Sequence, residues 1–328
     1  MSKSLGNSPD PIELMKKYGA DGVRAGMLFS APAGNDLLFD EKLCEQGRNF
    51  SNKLWNAFRL IQTLEVSDKG KDQSLAIEWI NSRFNEVLSE VEDHFIKYRI
   101  SDALLSLYTF IWDDFCSWYL EIIKDNTISD KTYKGTLAVL DKILKALHPF
   151  MPFITEELWN QIDDDRDYIM LSDYPTPEKF NDSLNNDFKK IFEIVTGLRK
   201  LKSDNKIKQI DVVEVMVNKK SEFDFIKYRD LIEKLSKTKD LEVVNEIPGN
   251  YPTLITGKDT LCLAIEKSED SKEDTLKQIE YLEGFLKSVE RKLSNKSFVD
   301  NAPESVVEIE RKKRDDAVIK LENLKKSL

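Results

Sequence analysis

The sequence predicts a mainly α-helical protein that combines an antiparallel helical bundle, a small α/β module and a C-terminal antiparallel coiled-coil hairpin. Three observations lead to this prediction. Apolar residues recur at spacings of three and four over most of the chain, which is the period of an amphipathic helix. Only 12 glycines and 10 prolines interrupt 328 residues. The charged fraction of 33% is high, as expected where much helix surface faces water.

Residues 1–40 predict an opening loop followed by two short helices. Asp10 and Pro11 suit a helix cap and a first helical turn, and Gly19 ends that helix. A second helix is expected from Ala20 to Phe29. The opening letters, MSKSLGN, have the composition of a phosphate-handling loop, but the order of a P-loop is absent. Taken alone, these letters are more simply interpreted as a flexible terminus.

The bundle is predicted for residues 41–162. A long helix covers residues 41–64, in which one apolar stripe repeats at spacings of three and four. Further helices are expected at 73–97, at 101–124 behind an N-cap pair of Ser101 and Asp102, and before Pro149. A short helix follows from Thr155. Several amphipathic helices with short connections indicate antiparallel neighbours.

Residues 163–186 form an acidic, turn-rich segment that we interpret as a solvated linker. Its opening aspartates have the DxDxD spacing of a calcium loop. However, Tyr168 stands where such a loop needs glycine, and Tyr174 stands where it needs a bidentate glutamate. No metal site is therefore predicted here or elsewhere.

Residues 187–268 predict a small α/β module. A helix is expected at 187–203, and the β-branched run at 212–217 indicates a strand. A helix from Phe223 to Leu235 and a second strand from Thr260 to Ile265 complete the prediction.

Residues 269–328 predict a coiled-coil hairpin. The first arm carries an apolar 3-4-3-4 repeat at Ile279, Leu282, Leu286, Val289 and Leu293. The second arm continues the repeat at Ala317, Leu321, Leu324 and Leu328. Turn-forming residues between the arms are expected to reverse the chain. The candidate RNA-contacting cations of the arms are Arg291, Lys292, Lys296, Arg311, Lys312, Lys313 and Arg314. The alternative is an ordinary solvated face with alternating charges.

The first bundle helix carries a second candidate surface. The formal net charge of −10 excludes a general polycation, so any RNA binding requires a local basic face. No acidic residue occurs between Glu45 and Glu65. The polar face in this window comprises Arg48, Asn49, Asn52, Lys53, Asn56 and Arg59. It suits phosphates and base edges, although an ordinary polar face remains open as an alternative.

The aromatic, cysteine and histidine residues predict packing more than chemistry. Trp55, Phe58, Trp112, Trp118 and Tyr119 lie at helical spacing and are expected mostly in the core. Three scattered cysteines and two histidines make a zinc site improbable and suit reduced thiols in the cytoplasm. His148, before Pro149, is expected to face the carbonyls that end a helix. Asp113 and Asp114 diverge on a helix and should pair with basic neighbours.

Several segments resemble one family in chain order. MSKSLGN resembles the KMSKS loop of class I aminoacyl-tRNA synthetases without its first lysine, followed by YGADGVR at 18–24 and GRNFSNKLWNAFR at 47–59. FIWDDFCSWYLEIIK at 110–124 and LHPFMPFITEELW at 147–159 also resemble the family. The tail from 292 to 310 resembles the C-terminal arm of bacterial valyl-tRNA synthetases. This tail favours valine over the isoleucine relatives, which often end with cysteine-bound zinc.

The resemblance implies a fragment that begins inside the KMSKS motif, without the Rossmann-type catalytic and editing domains. Residues 1–40 would be a loop remnant with stem-contact helices, 41–162 the anticodon-binding bundle, and 269–328 the tRNA-binding arm. In the intact enzyme, Lys3 would stabilise charge on ATP (with Mg) in a loop shaped by Ser2 and Ser4. The fragment is expected to bind tRNA(Val) as a cytoplasmic monomer, without cofactor, DNA or membrane, and not to catalyse.

Two alternatives remain open at this stage. The first is a fragment of an isoleucine-type class I synthetase, because the segment at 147–159 is shared with the isoleucine and leucine relatives. The second is a non-enzymatic helical module whose coiled coil binds protein. That module would dimerise through residues 272–328 and would ignore tRNA.

Overall fold

The computed structural model describes residues 9–31, 39–125, 127–163, 165–248, 251–265, 269–294 and 304–326. The described chain is mainly helical with one small mixed sheet, which confirms the predicted fold class. It divides into two compact units, Met1–Phe188 and Lys189–Leu328, which are treated separately below. None of the described helices is long and apolar enough to cross a membrane.

The first unit is a helical assembly with a buried apolar core. Its helices are α1 (Pro11–Tyr18), α2 (Ala20–Phe29), α3 (Glu41–Gln62), α4 (Ser74–Ile96), α5 (Ile100–Thr109), α6 (Leu120–Ile123), α7 (Asp130–Leu147) and α8 (Pro152–Ile162). A π-helical segment, Phe110–Tyr119, joins α5 to α6, and a short strand β1 covers Val66–Lys71. A 3₁₀ turn at Ile169–Leu171 follows α8.

The predicted ends of α1 and α2 are confirmed. The Asp10 carboxylate accepts a hydrogen bond from the backbone N–H of Ile12 at 2.8 Å, and Pro11 occupies the first turn. Gly19 ends α1 with φ of +76°, a conformation that glycine adopts without steric cost. The second helix runs from Ala20 to Phe29 as predicted.

Three glycines let α2 and α3 cross with their backbones in contact. A Cβ on Gly26 would lie 2.6 Å from the backbone nitrogen of Cys44, and a Cβ on Gly47 would lie 2.6 Å from the carbonyl oxygen of Gly22. At Gly22 a Cβ would lie 3.1 Å from the backbone nitrogen of Arg48. Because no side chain separates the two helices, the exposed residues of α3 lie close to the start of α2.

Two sequence predictions in this unit were wrong in detail. Ser101 and Asp102 do not cap α5, because that helix begins at Ile100 and the Ser101 hydroxyl donates to the carbonyls of Leu28 and Ala31. The helix predicted at 101–124 contains the π-helical segment, in which the Ser117 hydroxyl donates to the Trp112 carbonyl at 2.8 Å. Strand β1 was not predicted; among the described residues it pairs through isolated bridges to Ile128.

The second unit contains the sheet. Its elements are β2 (Val213–Asn218), α10 (Arg229–Ser236), β3 (Thr238–Val244), β4 (Thr253–Thr256) and β5 (Asp259–Leu263). The strand order is β3-β2-β5-β4, with β2 and β3 parallel and the other pairs antiparallel. Helix α9 (Asp182–Asp204) precedes the sheet and begins inside the segment predicted as linker.

The α/β prediction was partly right. Strands β2 and β5 confirm the predicted strands, whereas β3 and β4 were missed. The helix predicted from Phe223 begins at Arg229, because the residues before it form turns.

The C-terminal helices α11 (Glu269–Ser294) and α12 (Glu304–Lys326) pack on each other as the hairpin prediction requires. Ile279 and Val289 are buried on the first arm, and Val307 and Ala317 are buried on the second. The seam also buries Glu310, which the apolar repeat did not predict. The predicted reversal at 295–303 and the side chains of Leu324 and Leu328 lie outside the described residues.

Candidate nucleic-acid interface

The predicted polar residues of α3 share one outward face. Helix α3 buries Phe50, Leu54 and Ile61, with none of them more than 1% exposed, so its opposite side is turned to solvent. Five of the six predicted residues are exposed, and Lys53 is half-buried. We call this set the α3 polar face; it comprises Arg48, Asn49, Asn52, Lys53, Asn56 and Arg59.

The side chains of the α3 polar face are almost uncommitted. Within the described part of the chain, Arg48, Arg59 and the three asparagines make no side-chain hydrogen bond or ion pair. Arg83 on α4 shows the contrasting case, because it pairs with Glu86 at 2.9 Å and with Asp114 at 3.0 Å. An ordinary polar face was expected to hold inter-helix hydrogen bonds, and these five side chains make none within the described residues.

Lys53 has a defined position. Its ammonium nitrogen lies 5.2 Å from the centroid of the Trp112 ring, a cation–π contact. Trp112 in turn stacks on Tyr108, with ring centroids 5.6 Å apart. Burial raises the pKa of the neighbouring Cys116 thiol to about 12, although the Lys53 charge opposes this shift. The ammonium is thus positioned at the edge of the α3 polar face.

The aromatic prediction is confirmed for two residues. Phe58 is 1% exposed and Tyr119 is fully buried, with its hydroxyl 2.7 Å from that of Thr136. Trp55, Trp112 and Trp118 are only half-buried, so their rings contribute to the surface as well as to packing. Asp114 pairs with Arg83 as predicted, while Asp113 is exposed.

A cleft of about 490 Å³ opens beside the α3 polar face and was not predicted from the sequence. We call it the side cleft. Its walls come from three places: the α1–α2 corner around Gly19, the α3 residues Arg48, Ser51 and Asn52, and the start of α8 around Phe153. The glycine crossing of α2 and α3 is the sequence signal that places these walls together.

Asp21 and Arg24 of α2 hold the start of α8 against the side cleft. The Asp21 carboxylate accepts hydrogen bonds from the backbone N–H groups of Phe153 at 3.3 Å and Ile154 at 2.6 Å. Burial raises the pKa of Asp21, and these two hydrogen bonds oppose that shift. Arg24 donates to the carbonyls of Pro149 and Phe150, each at 3.1 Å.

The prediction for His148 was wrong in its partner. Its Nδ1 lies 2.7 Å from the hydroxyl of Thr155, so the ring bonds to a side chain instead of facing terminal carbonyls. Burial lowers the pKa of His148, although Glu156 and Asp21 oppose this shift. The contact ties α7 to α8 across the corner that Arg24 also holds.

The basic residues of the hairpin are less available than those of α3. Lys313 pairs with Glu310 at 2.8 Å, and Lys292 from the other arm lies 3.7 Å from the same carboxylate. Arg314 is half-buried and has an interaction of its own. Arg291, Arg311 and Lys312 are exposed and carry no side-chain partner within the described residues.

Four predicted site residues cannot be placed. Ser2, Lys3 and Ser4 at the start of the chain, and Lys296 between the two arms, lie outside the described residues. Their roles stay predictions. Within the described ranges, no group of three acidic, histidine or cysteine side chains is arranged to hold a metal ion.

Comparison with known proteins gives two family matches. Residues 78–217 match the anticodon-binding domain of tRNA ligases, and residues 269–328 match the valyl-tRNA synthetase tRNA-binding arm. Helix α3 and the α1–α2 corner precede the first match and are covered by the relatives that align with the whole of this chain.

The whole chain is similar to proteins named valine–tRNA ligase. It is 44% identical to that of Christiangramia forsetii, 43% to that of Phocaeicola vulgatus and 34% to that of Fusobacterium nucleatum. Each alignment covers 100% of this chain but only 39%, 38% and 40% of the respective relative. The chain therefore spans about two fifths of the length of these relatives.

Among solved structures, one match is a chain from the ternary complex of Agrobacterium radiobacter K84 agnB2 LeuRS-tRNA-LeuAMS. It is 19% identical with a TM-score of 0.40, and covers 56% of this chain and 22% of that chain. Such a score does not establish a shared fold. In contrast, the two family matches agree with the alignments that cover the whole of this chain. The chain belongs to the valyl-tRNA synthetase family and corresponds to a C-terminal portion of its members.

Proposed function

We propose that this chain binds tRNA(Val) for a valine–tRNA ligase, which joins valine to its tRNA at the expense of ATP. The observation that carries the proposal is the uncommitted α3 polar face. It is a window without acidic residues in a chain of net charge −10, and the cations and amides in it have almost no protein partners in the described residues. Both family matches support tRNA as the partner.

Each residue type of the α3 polar face suits one part of an RNA. Arg48 and Arg59 are exposed guanidinium groups that pair with phosphates in a bidentate geometry. Asn49, Asn52 and Asn56 offer an amide donor and acceptor to base edges or ribose hydroxyls. Lys53 is held by Trp112 as a point charge for a phosphate.

The hairpin adds a second contact surface in this proposal. Arg291, Arg311 and Lys312 are exposed and unpaired in the described part of the hairpin, so they suit phosphates without sequence preference. Lys292 and Lys313 both pair with the buried Glu310, so we assign them to stabilising the hairpin before any contact with RNA. Lys296 and Arg314 belong to the same proposed surface.

The valine-activating chemistry belongs to the longer protein in this proposal. There Lys3, with Ser2 and Ser4, would act on ATP and its Mg²⁺ during adenylate formation. This chain, which covers about two fifths of its relatives, is proposed to bind tRNA as a monomer without activating valine and without binding DNA. Valine-dependent pyrophosphate exchange by the purified chain would contradict that part.

The test is tRNA binding across a salt series, measured by electrophoretic mobility. Binding should weaken as salt rises, and the double variant Arg48→Ala/Lys53→Ala should bind more weakly than the parent. The slope of log K against log salt concentration should be smaller by about 1–2 for this variant, because each lost phosphate contact removes about 0.7–0.9 from that slope. Lys69→Ala/Lys179→Ala is the matched control, since it removes two exposed lysines elsewhere in the first unit that have no side-chain partner among the described residues.

The control should bind like the parent chain. Equal binding by Arg48→Ala/Lys53→Ala and the parent would place the RNA surface elsewhere. A chain that ignores tRNA and dimerises through residues 272–328 would instead be the protein-interaction module considered above.

A further inference from the structure

We propose that the side cleft holds one unpaired nucleotide of the bound tRNA, with its base against Phe153 and its polar edge toward Asn52 and Arg48. The proposal rests on the proposed function, because the same RNA must first lie on the α3 polar face. It adds a separate site whose ligand is a nucleoside and not a phosphate of the backbone.

The size of the side cleft suits a nucleoside. Its volume is about 490 Å³, which lies in the range of about 300–1,000 Å³ for small-molecule sites. A phosphate contact needs no such concavity, because surface cations reach the backbone from a convex face. The cleft also adjoins the α3 polar face, since Arg48 and Asn52 belong to both.

Phe153 gives the side cleft an exposed aromatic wall. This ring is 64% exposed, although its neighbours Met151 and Leu158 are fully buried. Its backbone at the start of α8 is nevertheless held in place, because the Phe153 N–H donates to the Asp21 carboxylate of α2. An exposed ring on a fixed backbone is suited to stack an unpaired base, which is how single-stranded RNA is commonly bound.

The polar wall can read the edge of a base. Asn52 supplies an amide donor and acceptor, and Arg48 supplies donors; neither is committed to a partner in the described residues. Ser51 donates its hydroxyl to the Gly47 carbonyl at 3.2 Å, which leaves its oxygen free to accept a further bond. The wall thus presents both donors and acceptors.

The charges of the side cleft disfavour a bare phosphate. Asp21 and Glu157 line it together with Arg48 and Lys17, so acidic and basic side chains balance. Lys17 is already paired with Glu41 at 2.8 Å. Both oxygens of Asp21 accept backbone hydrogen bonds. One oxygen of Glu157 accepts a hydrogen bond from Gln161, and the other accepts none within the described residues. A neutral base with its own donors fits this balance better than an anion.

The test is nucleotide-resolved acylation of 2′-hydroxyls on a tRNA(Val) transcript, with and without the full 328-residue chain. The chain should protect one unpaired nucleotide beyond the paired regions that it covers. Phe153→Ala should reduce protection at that nucleotide by about fivefold or more, because one stacked base contributes about 1–3 kcal/mol. Asn52→Ala should also reduce it.

Matched controls separate the side cleft from the rest of the surface. Tyr168→Ala removes an aromatic ring of similar exposure, 67%, outside the cleft. Asn160→Ala removes an exposed asparagine of α8 that lies outside both the cleft and the α3 polar face. Both variants should retain protection at the nucleotide, and all four should keep the circular dichroism of the parent.

The outcomes distinguish the two proposals. If the transcript is not bound, or if Arg48→Ala/Lys53→Ala leaves its binding unchanged, the proposed function fails. If the transcript binds through the α3 polar face but Phe153→Ala and Asn52→Ala leave every protection unchanged, the side cleft holds no nucleotide and only the further inference fails. Equal loss in the Tyr168→Ala control would also overturn it.

Discussion

Replacing Gly26 with alanine should destabilise the first unit, although alanine is intrinsically the better helix former. The added Cβ would lie 2.6 Å from the backbone nitrogen and 2.7 Å from the Cα of Cys44, so α2 and α3 must move apart. Overpacking of this kind costs about 1–3 kcal/mol, and the gain in helix propensity offsets about 1 kcal/mol. Since the clash is with backbone atoms, we expect a net loss of about 1–2 kcal/mol in the free energy of unfolding.

Urea unfolding followed by tryptophan fluorescence measures this effect in the correct unit. All five tryptophans, at 55, 79, 112, 118 and 159, lie before residue 189 and so report on the first unit. Gly135→Ala is the matched control, because its Cβ meets a side chain instead of a backbone: the three nearest atoms belong to Ile77, with the terminal Cδ1 at 2.7 Å and both Cγ atoms at 3.3 Å. That variant should be close to neutral or slightly stabilised. A Gly26→Ala variant as stable as the parent would show that α2 and α3 do not cross as described.

Three further predictions concern groups that are buried or half-buried. Burial raises the pKa of Cys116 to about 12, so its thiolate fraction at pH 8 is about a thousandfold below that of a free cysteine. Iodoacetamide should therefore alkylate Cys116 very slowly until urea unfolds the chain, as followed by mass spectrometry, and fast alkylation of the native chain would contradict the raised pKa. Lys202→Met should lower the free energy of unfolding of the second unit by about 1–3 kcal/mol, because the fully buried ammonium donates to the carbonyls of Asp211 at 2.6 Å and Lys237 at 3.0 Å. Circular dichroism measures the unfolding, and an unchanged unfolding midpoint would show that these hydrogen bonds do not stabilise the unit. The raised pKa of Asp21 means that its ionised carboxylate destabilises the folded state, and protonation removes this cost as the pH falls through the folded pKa toward 3.8. Over that pH window the parent should gain stability relative to Asp21→Asn, and a stability difference that does not change with pH would contradict this prediction.

The sequence was most informative where local physics decides the structure. The cap at Asp10, the stop at Gly19 and the whole of α2 depend on a few neighbouring residues, and all were predicted correctly. The outward face of α3 was also predictable, because the apolar stripe of that helix is long and regular.

The misses have non-local causes. The Ser101 hydroxyl bonds to Leu28 and Ala31, about 70 positions earlier, in place of capping its own helix. Strand β4 has only four residues, and β3 exposes two residues between each buried one, so neither shows the alternation that marks a strand. Glu310 enters the hairpin seam because lysines from both arms surround it, which no apolar repeat can indicate.

The candidate site divides along the same line. The α3 polar face follows from helical periodicity, whereas the side cleft depends on a contact between helices that begin at residues 20, 41 and 152. The glycines at 22, 26 and 47 were visible in the sequence, but only the helix crossing shows why they are small.

The central claim is that the α3 polar face touches tRNA, and site-specific photo-crosslinking tests it most directly. A benzophenone amino acid replaces Asn49, which is exposed at the N-terminal end of that face, or Lys179, which is exposed elsewhere in the first unit. With a tRNA(Val) transcript bound to both proteins, the probe at position 49 should crosslink to RNA and the probe at position 179 should not. RNA crosslinks at 179 with none at 49 would contradict the account.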